Sequence, residues 1–434
     1  MKFKIHRGTK EIGGSCVEIW TDNTRIVMDF GMPLVGENNL PFNSNQTKDL
    51  NTTELINQGI LPNIPDLFNS ENNISLIISH AHQDHYGLID FINNGIPVHL
   101  GKASHKLIDL TNVFTNKKCV ISNPHYFESG KAFKIDDFSI TPFLMDHSAF
   151  DSYAFQINAN GKSLFYSGDF RIHGRKAKAF DWFSKNIKSN IDYLLLEGTT
   201  ISRTSYNFPT ETEIESQLVE TFKNVKGINL IYASGQNIDR LVSIYRACKR
   251  TNKILAIDFY IANVLTELAK LGASLPFPSD NFPDVKVFFP YRLSKMISNQ
   301  GNEKLLYRFK NHKITKEEID SEFEKIVMLV RPSMQRDLEY LKNLGNGMFI
   351  YSMWNGYRKE KSTADFITTL TNKGMLEKEI HTSGHADTEG LKRMVDVLKP
   401  KNLIPIHTFE SDKYAKIFQD TKVIVLKDKE IIEM

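Results

Sequence analysis

Cysteine is scarce. The three present, Cys16, Cys119 and Cys248, are odd in number and far apart, so no disulfide framework is expected to hold this chain together. That usage points to a reducing compartment, the cytoplasm. No apolar run approaches the roughly 20 residues a membrane helix requires. The opening MKFKIHRGTKEIGG lacks the apolar centre of a secretory signal, and no membrane partner is expected. An excess of one charge is missing too: the net charge is +3, which gives the chain as a whole no strong field toward nucleic acid. Glycine and proline are modest in number. With 41% hydrophobic residues and 29 phenylalanines, the composition excludes a disordered or collagen-like chain. A length of 434 residues then implies two or three globular domains. What the chain does have is histidine, 13 in all.

The N-terminal part reads as β-rich. Short strands flank Asp22-Asn23, and the polar stretch Asn38 to Asn73 reads as a surface excursion with one short helix near Leu50 to Gln58. Ile74 to Ile78 is apolar apart from Ser75, as in a strand buried on both faces. A further strand at Val98 to Gly101 and a helix from Ser104 follow. Strands at Tyr153 to Ile157 and Ser163 to Tyr166 enclose Asn158-Ala-Asn-Gly161, a hairpin signal because Asn and Gly tolerate positive φ. The character changes near residue 205. From Thr210 an amphipathic helix with acids in its first turn leads into alternating strands and helices, the pattern of a parallel sheet with covering helices. Residues 201–375 carry 25 basic and 19 acidic side chains, a basic excess hidden by the near-neutral total. Between Lys286 and Lys316 there are eight basic residues and one acid, interleaved with Phe288, Phe289, Tyr291, Tyr307 and Phe309. This fits a surface that tracks a sugar-phosphate backbone, and equally a solvated helical face over core aromatics.

His80-Ala-His82-Gln-Asp84-His85 carries the chemistry. Four ligand-type side chains follow a buried strand at once, where the chain turns and alternate side chains can converge. Imidazole and carboxylate suit zinc and similar divalent ions. Further ligand-type residues sit at strand ends: His147 in MDHSAFDS, Asp169 in YSGDFR and His407 in LIPIHTF. Ser234-Gly235-Gln236-Asn237 lies between a strand and a helix, a place where backbone N–H groups favour a phosphate. Arg203 and Arg331 are weaker candidates for the same task.

These motifs, with Asp29-Phe30-Gly31, resemble the ordered motifs of the metallo-β-lactamase fold. HTSGHA around His385, IPIHTF around His407 and Glu197 at the end of LLLE resemble the additional motifs of the β-CASP nucleases. Within that group RGTKEIGGS, SGQNIDR and SGHADTEGLKRMVDVLKPKNLIPIH are most similar to ribonuclease J. The resemblance implies an α/β chain, an α+β sandwich of αββα layers interrupted by a β-CASP α/β domain. The lactamase domain would occupy 1–205 and 376–434, and the insert 206–375. The resemblance also implies two divalent metal ions, zinc or manganese. One would be held by His80, His82 and His147, the other by Asp84, His85 and His407, with Asp169 bridging. His385 would act as general acid or as a donor to the scissile phosphate, unless it is a structural histidine in a turn. Glu197 would orient a ligand histidine, and Asp29 would either do the same or brace its loop. Related enzymes hold a 5′-terminal phosphate between their two domains, which raises Ser234, Gly235 and Asn237 as substrate contacts, with Ser383 and Gly384 added to them. The implied activity is hydrolysis of single-stranded RNA, exonucleolytic from the 5′ end or endonucleolytic. The competing readings are a β-CASP nuclease acting on DNA and a catalytically silent RNA-binding subunit. Two features depart from ribonuclease J. Glu197 stands where that subgroup more often has Asp, and ribonuclease J continues with a further domain, on which the homodimer expected by resemblance would depend.

Overall fold

The computed structural model describes residues 1–36, 42, 47, 50–69, 73–117, 120–201 and 208–434. The chain divides into two compact units. One comprises Met1–Asp109, Lys118–Phe208 and Gly384–Met434, and the other Leu110–Lys117 and Pro209–Ser383.

The first unit is built on two sheets. The strands of the seven-stranded sheet run in the order Ile431–Glu433, Lys2–Arg7, Cys16–Trp20, Arg25–Met28, Ile74–Ile77, Val98–Leu100 and Pro124–Tyr126. The six-stranded sheet runs Asn402–Ile406, Tyr193–Glu197, Lys162–Tyr166, Ser152–Ala159, Phe138–Met145 and Phe133–Ile135. Successive side chains of a strand point to opposite faces, and this period divides the second sheet between two cores. Phe138, Ile140, Phe155, Ile157, Leu164, Tyr166 and Leu195 face the first sheet and pack with Phe3, Ile5, Val17, Ile19 and Met28. Phe143, Met145, Phe165, Leu194 and Leu196 face the other way, onto Phe180 and Phe183 of helix Ala177–Asn186 and Leu391, Met394 and Leu398 of helix Thr388–Leu398. Each such side chain contributes about 1.5–3 kcal/mol by leaving water, so both faces hold the sheet, and its strand ends, in place. The hairpin turn falls at Asn160 (φ 51°) and Gly161 (φ 73°), with Lys162 paired to Ala159.

The second unit contains a wholly parallel sheet in the order Val285–Phe288, Ile254–Asp258, Ile326–Val330, Asn229–Tyr232, Met348–Tyr351 and Leu376–Glu379. Helix Glu211–Asn224 starts at a capping box, in which Thr210 accepts from the Glu213 amide and Glu213 reaches back. Strand Leu376–Glu379 completes this sheet, and the compact unit runs to Ser383, beyond the boundary at 375 that the resemblance implies. Part of the stretch from Asn38 to Asn73 lies outside the described residues, as do Cys119 and Arg203. The helix read there is Thr52–Asn57, capped by Asn51. Cys16 and Cys248 are buried free thiols. Among the described residues no helix is long and apolar enough to cross a membrane.

Candidate metal centre

Strand Ile74–Ile77 is buried along its whole length and delivers the chain into the first unit's interior at Ser79 and His80, both wholly buried. His80 and His82 lie on the turn. A short helix, Gln83–Tyr86, begins directly after His82 and points Asp84 and His85 inward. His147 follows strand Phe138–Met145, Asp169 follows Lys162–Tyr166, and His407 follows Asn402–Ile406. The structure brings all seven together. The ligand atoms of His80, His82 and His147 form one group, those of Asp84, His85, Asp169 and His407 a second, and those of Asp169, Glu197, His385 and His407 a third, in each of which all lie within 4.8 Å of one another.

The outer nitrogens decide which atoms face in. Ser79 Oγ donates to Asp29 Oδ2 (2.8 Å), so it accepts from His80 Nδ1 (3.0 Å). His85 Nδ1 donates to Asp29 Oδ2 (2.7 Å), and His147 Nδ1 to the Gly384 carbonyl (2.6 Å). Thr199 Oγ1 turns its proton to the His407 carbonyl and accepts from His407 Nδ1 (2.8 Å). In four histidines, therefore, Nδ1 is held from outside and Nε2 is directed inside, the nitrogen a metal-ligating histidine would present. His80 Nε2 has no hydrogen-bond partner although it is buried, which leaves its full desolvation penalty uncompensated unless a cation takes the lone pair. His82 Nδ1 stands 3.2 Å from His147 Nε2. Asp169 is central: its Oδ2 lies 3.1 Å from His85 Nε2, 3.8 Å from His80 Nε2 and 4.0 Å from His147 Nε2, and its Oδ1 lies 3.8 Å from His407 Nδ1. The donor set is of the kind that could hold metal ions, with Asp169 common to two of its groups.

Electrostatics separate the two halves. Burial, reinforced by the neighbouring imidazoles, holds His80 and His147 well below the ordinary histidine range. Burial likewise lowers His82 to about 4. These three are neutral at pH 7, the form that ligates. In the acidic half burial works to lower His85 and His407, but Asp169, Asp29 and Asp84 outweigh it at His85 and raise it well above the usual value. Asp169 and Asp84 raise His407. Conversely, burial works against ionisation of Asp84, and His85 and His407 overcome it, bringing Asp84 down to about 2. A bound cation would replace those imidazolium protons.

Supporting residues come both from the sequence motifs and from outside them. Asp29 both orients a ligand and braces its loop: its carboxylate also accepts from the Ser79 amide (2.7 Å) and from the buried Tyr166 hydroxyl (2.7 Å). It does so with φ at 59°, and His407 has φ 51°, a left-handed conformation that costs about 1–3 kcal/mol in a non-glycine residue and is kept where the surroundings over-determine it. A β-carbon at Gly31 would overlap the Asp84 carbonyl oxygen, which explains the glycine of DFG. Asp146 and Arg171, both fully buried, form an ion pair (2.9 Å) that ties the loop of His147 to the loop of Asp169. Glu197 differs from expectation. It accepts from His385 Nδ1 (3.0 Å) and from the Phe170 amide (2.8 Å), and so orients His385 rather than one of the seven expected metal ligands.

The expected substrate contacts are placed as follows. Asn237 Oδ1 accepts from the Arg240 amide (3.2 Å) as the cap of helix Ile238–Arg250, and Ser234 Oγ accepts from the Gln236 amide (3.3 Å). These polar side chains are thus already engaged within their own turn, as are the amides of Gln236, Asn237 and Ile238. Gly235 packs against Ile261 and Tyr260. Arg331 is paired with Asp258. Gly384 serves His147 through its carbonyl, and Ser383 is buried in the second unit.

Comparison with known proteins agrees with this geometry. Residues 66–231 match the beta-lactamase superfamily domain, and residues 376–425 match the Zn-dependent metallo-hydrolase RNA specificity domain. The chain is 20% identical over 420 residues to ribonuclease J of Mycoplasma genitalium, covering 94% of this chain and 67% of that protein. It is 24% identical over 428 residues to ribonuclease J of Helicobacter pylori strain 26695 (92% and 55%), and 22% identical over 379 residues to ribonuclease J2 of Bacillus subtilis (83% and 64%). It therefore spans about half to two thirds of the length of these relatives. A crystal structure of a protein of unknown function from Enterococcus faecalis V583 has the same fold, with a TM-score of 0.80 at 18% identity and 99% of each chain covered. The chain thus matches the beta-lactamase superfamily domain and the Zn-dependent metallo-hydrolase RNA specificity domain over parts of its length and is distantly similar to ribonuclease J over most of it.

Proposed function

We propose that this chain is a metal-dependent ribonuclease that hydrolyses phosphodiester bonds of single-stranded RNA in the manner of ribonuclease J, from the 5′ end or internally. The observation that carries the reading is the convergence of seven ligand-type side chains with their outer nitrogens already held, next to a histidine that the ligand set does not need. His80, His82 and His147 would hold one ion, zinc or manganese, and Asp84, His85 and His407 the other, with Asp169 shared. Bound there, the two cations supply Lewis-acid stabilisation of the phosphoryl oxygens and a water acidified enough to attack near neutral pH.

The remaining work falls to the chain. Asp84, besides ligating, presents a second carboxylate oxygen that can take a proton from the attacking water. His385 is half-buried, with its side chain 18% exposed against 2% for Asp169. Glu197 holds its Nδ1 proton, so His385 Nε2 is left to deliver a proton to the leaving oxygen or to bond a non-bridging one. Neither proton transfer needs rearrangement of the outer hydrogen bonds. The buried free thiols Cys16 and Cys248 suit the cytoplasm.

Purified protein loaded with Zn²⁺ or Mn²⁺ should degrade a 5′-monophosphorylated single-stranded RNA faster than the matched DNA strand. His80→Ala with His82→Ala should abolish that degradation. RNA cleavage that persists in the double variant, or preference for the DNA strand, overturns the reading. Sizing products from end-labelled RNA over time distinguishes mononucleotide release from internal cuts.

A further inference from the structure

We infer that residues 291–313 of the second unit form a landing surface for single-stranded RNA, distinct from the residues that hold the metals. The inference rests on the RNA-directed reading above. After strand Val285–Phe288 the chain runs into helix Tyr291–Asn299, which fully buries only Ile297. Helix Glu303–Tyr307 and the turn Lys310–His312 follow and fully bury no residue. Elements with so little buried surface gain little from packing, and every exposed charged side chain from 291 to 313 is cationic. Arg292, Lys295, Lys304, Lys310 and Lys313 are all exposed. Among the described residues none of the five has a carboxylate within ion-pair distance, whereas the adjacent Arg308 and Lys316 are paired with Glu267 and Asp337. The same unit pairs Lys249 with Asp284 and Arg250 with Glu215. Five exposed cations without a carboxylate in reach, all within residues 291–313, give this surface a positive charge that no neighbour cancels.

Two rings accompany them. Tyr291 is 67% exposed and Tyr307 68%. Lys295 follows Tyr291 by four helical positions and Lys304 precedes Tyr307 by three, spacings that put ring and ammonium on one helix face. A ring beside a cation is the unit that single-stranded nucleic acid uses, with a base stacked on the ring and its phosphate beside the charge. An acidic protein would satisfy the cations but has no use for the exposed rings.

The test uses the full chain carrying His80→Ala and His82→Ala, so that labelled single-stranded RNA is bound without being cut. Into it are placed either the five substitutions Arg292→Gln, Lys295→Gln, Lys304→Gln, Lys310→Gln and Lys313→Gln, or the pair Tyr291→Ala and Tyr307→Ala. The five should weaken RNA binding and flatten the slope of log affinity against log salt by about 3.5, at roughly 0.7 for each single-strand phosphate no longer neutralised. The tyrosine pair should weaken binding about tenfold or more at fixed salt. With the metal ligands intact, the same surface variants should hydrolyse bis(p-nitrophenyl) phosphate at the parent rate. Unchanged RNA affinity and salt slope in both sets overturn the inference, and the ribonuclease reading survives if RNA is still degraded. Loss of affinity in the cation set alone, with poly-glutamate competing equally with RNA, assigns the surface to an acidic protein and also overturns it. A parent chain that hydrolyses the small diester but neither binds nor cuts RNA overturns the ribonuclease reading itself, and this inference with it.

Discussion

Each compact unit buries a network of charged side chains, and the two are finished differently. In the second unit Arg240 and Glu211, both wholly buried, meet through two parallel hydrogen bonds (3.2 and 3.1 Å). Ser243 donates to Glu211 (2.7 Å), and Ser352 takes another guanidinium proton. Charge is cancelled and donors meet acceptors, so nothing is left to bind. In the first unit, Asp29, Glu197, Thr199, Ser79 and the Gly384 carbonyl satisfy only the outer nitrogens of the histidines. The inner atoms face one another at 3.1–4.0 Å, and His80 Nε2 has no partner. A buried network that serves structure closes on itself. One that serves a ligand stays open on the inside and is held rigid from the outside.

The largest effect should come from emptying the open network. Chelation of the metal, or His80→Ala with His82→Ala, should reduce RNA cleavage to background and lower the bound-metal stoichiometry measured on the purified protein. Fold content by circular dichroism should be unchanged.

Breaking the closed network should do the reverse. Arg240→Met leaves Glu211 buried and uncompensated, at a cost of about 3–5 kcal/mol in urea unfolding. Metal content and cleavage per folded molecule should not change. Loss of metal in Arg240→Met would remove the distinction drawn between the two networks.

Asp29→Asn tests the outer support. The amide oxygen can still accept from the Ser79 amide, but the new NH2 group cannot accept from His85 Nδ1 or the Tyr166 hydroxyl, so metal affinity should fall about 10- to 100-fold, as competition with a chromogenic chelator would measure.

The smallest effect belongs to a third, half-open network. Glu18 meets His6 (2.7 Å), Lys4 (2.9 Å) and Arg25 (3.0 Å). Burial works to raise Glu18, but His6 and Lys4 overcome it and bring it to about 2. Its folded value lies below its unfolded value near 4.5, so its stabilisation is complete above about pH 4.5 and is lost as pH falls toward 2. His6 is lowered by burial, which exceeds the opposing pull of Glu18, so the fold also loses stability as pH drops below 6.5. Glu18→Gln should flatten the acid limb of a stability-against-pH curve between pH 4.5 and 2.

Much of the site could be read in the sequence because the ligands stand at strand ends. His80, His82, Asp84 and His85 fall within six consecutive positions after a largely apolar run, and such a run followed at once by polar residues marks a buried strand reaching an edge. The elements of the second unit were legible where helix and strand periods alternate. Strand Leu376–Glu379 was not, because its sequence Leu-Glu-Lys-Glu is exposed at every position. An edge strand solvated on its outer side has no apolar face to reveal its period. Nor could other histidines be sorted by pattern: His99 stacks on His125 (4.9 Å) and His105 meets Tyr126 (2.8 Å), contacts made across a sheet and between a helix and a strand.

The sequence by itself determined the donor set, its order along the chain and the change in composition where one unit gives way to the other. Only the tertiary structure decided how those donors are held. Tyr166 reaches Asp29 across 137 positions, Glu197 reaches His385 across 188, Thr199 reaches His407 across 208, and Gly384 reaches His147 across 237. A hydrogen bond tolerates errors of only a few tenths of an ångström. Partners that far apart are set by strand register and by the cores on both faces of the six-stranded sheet, which no local pattern encodes.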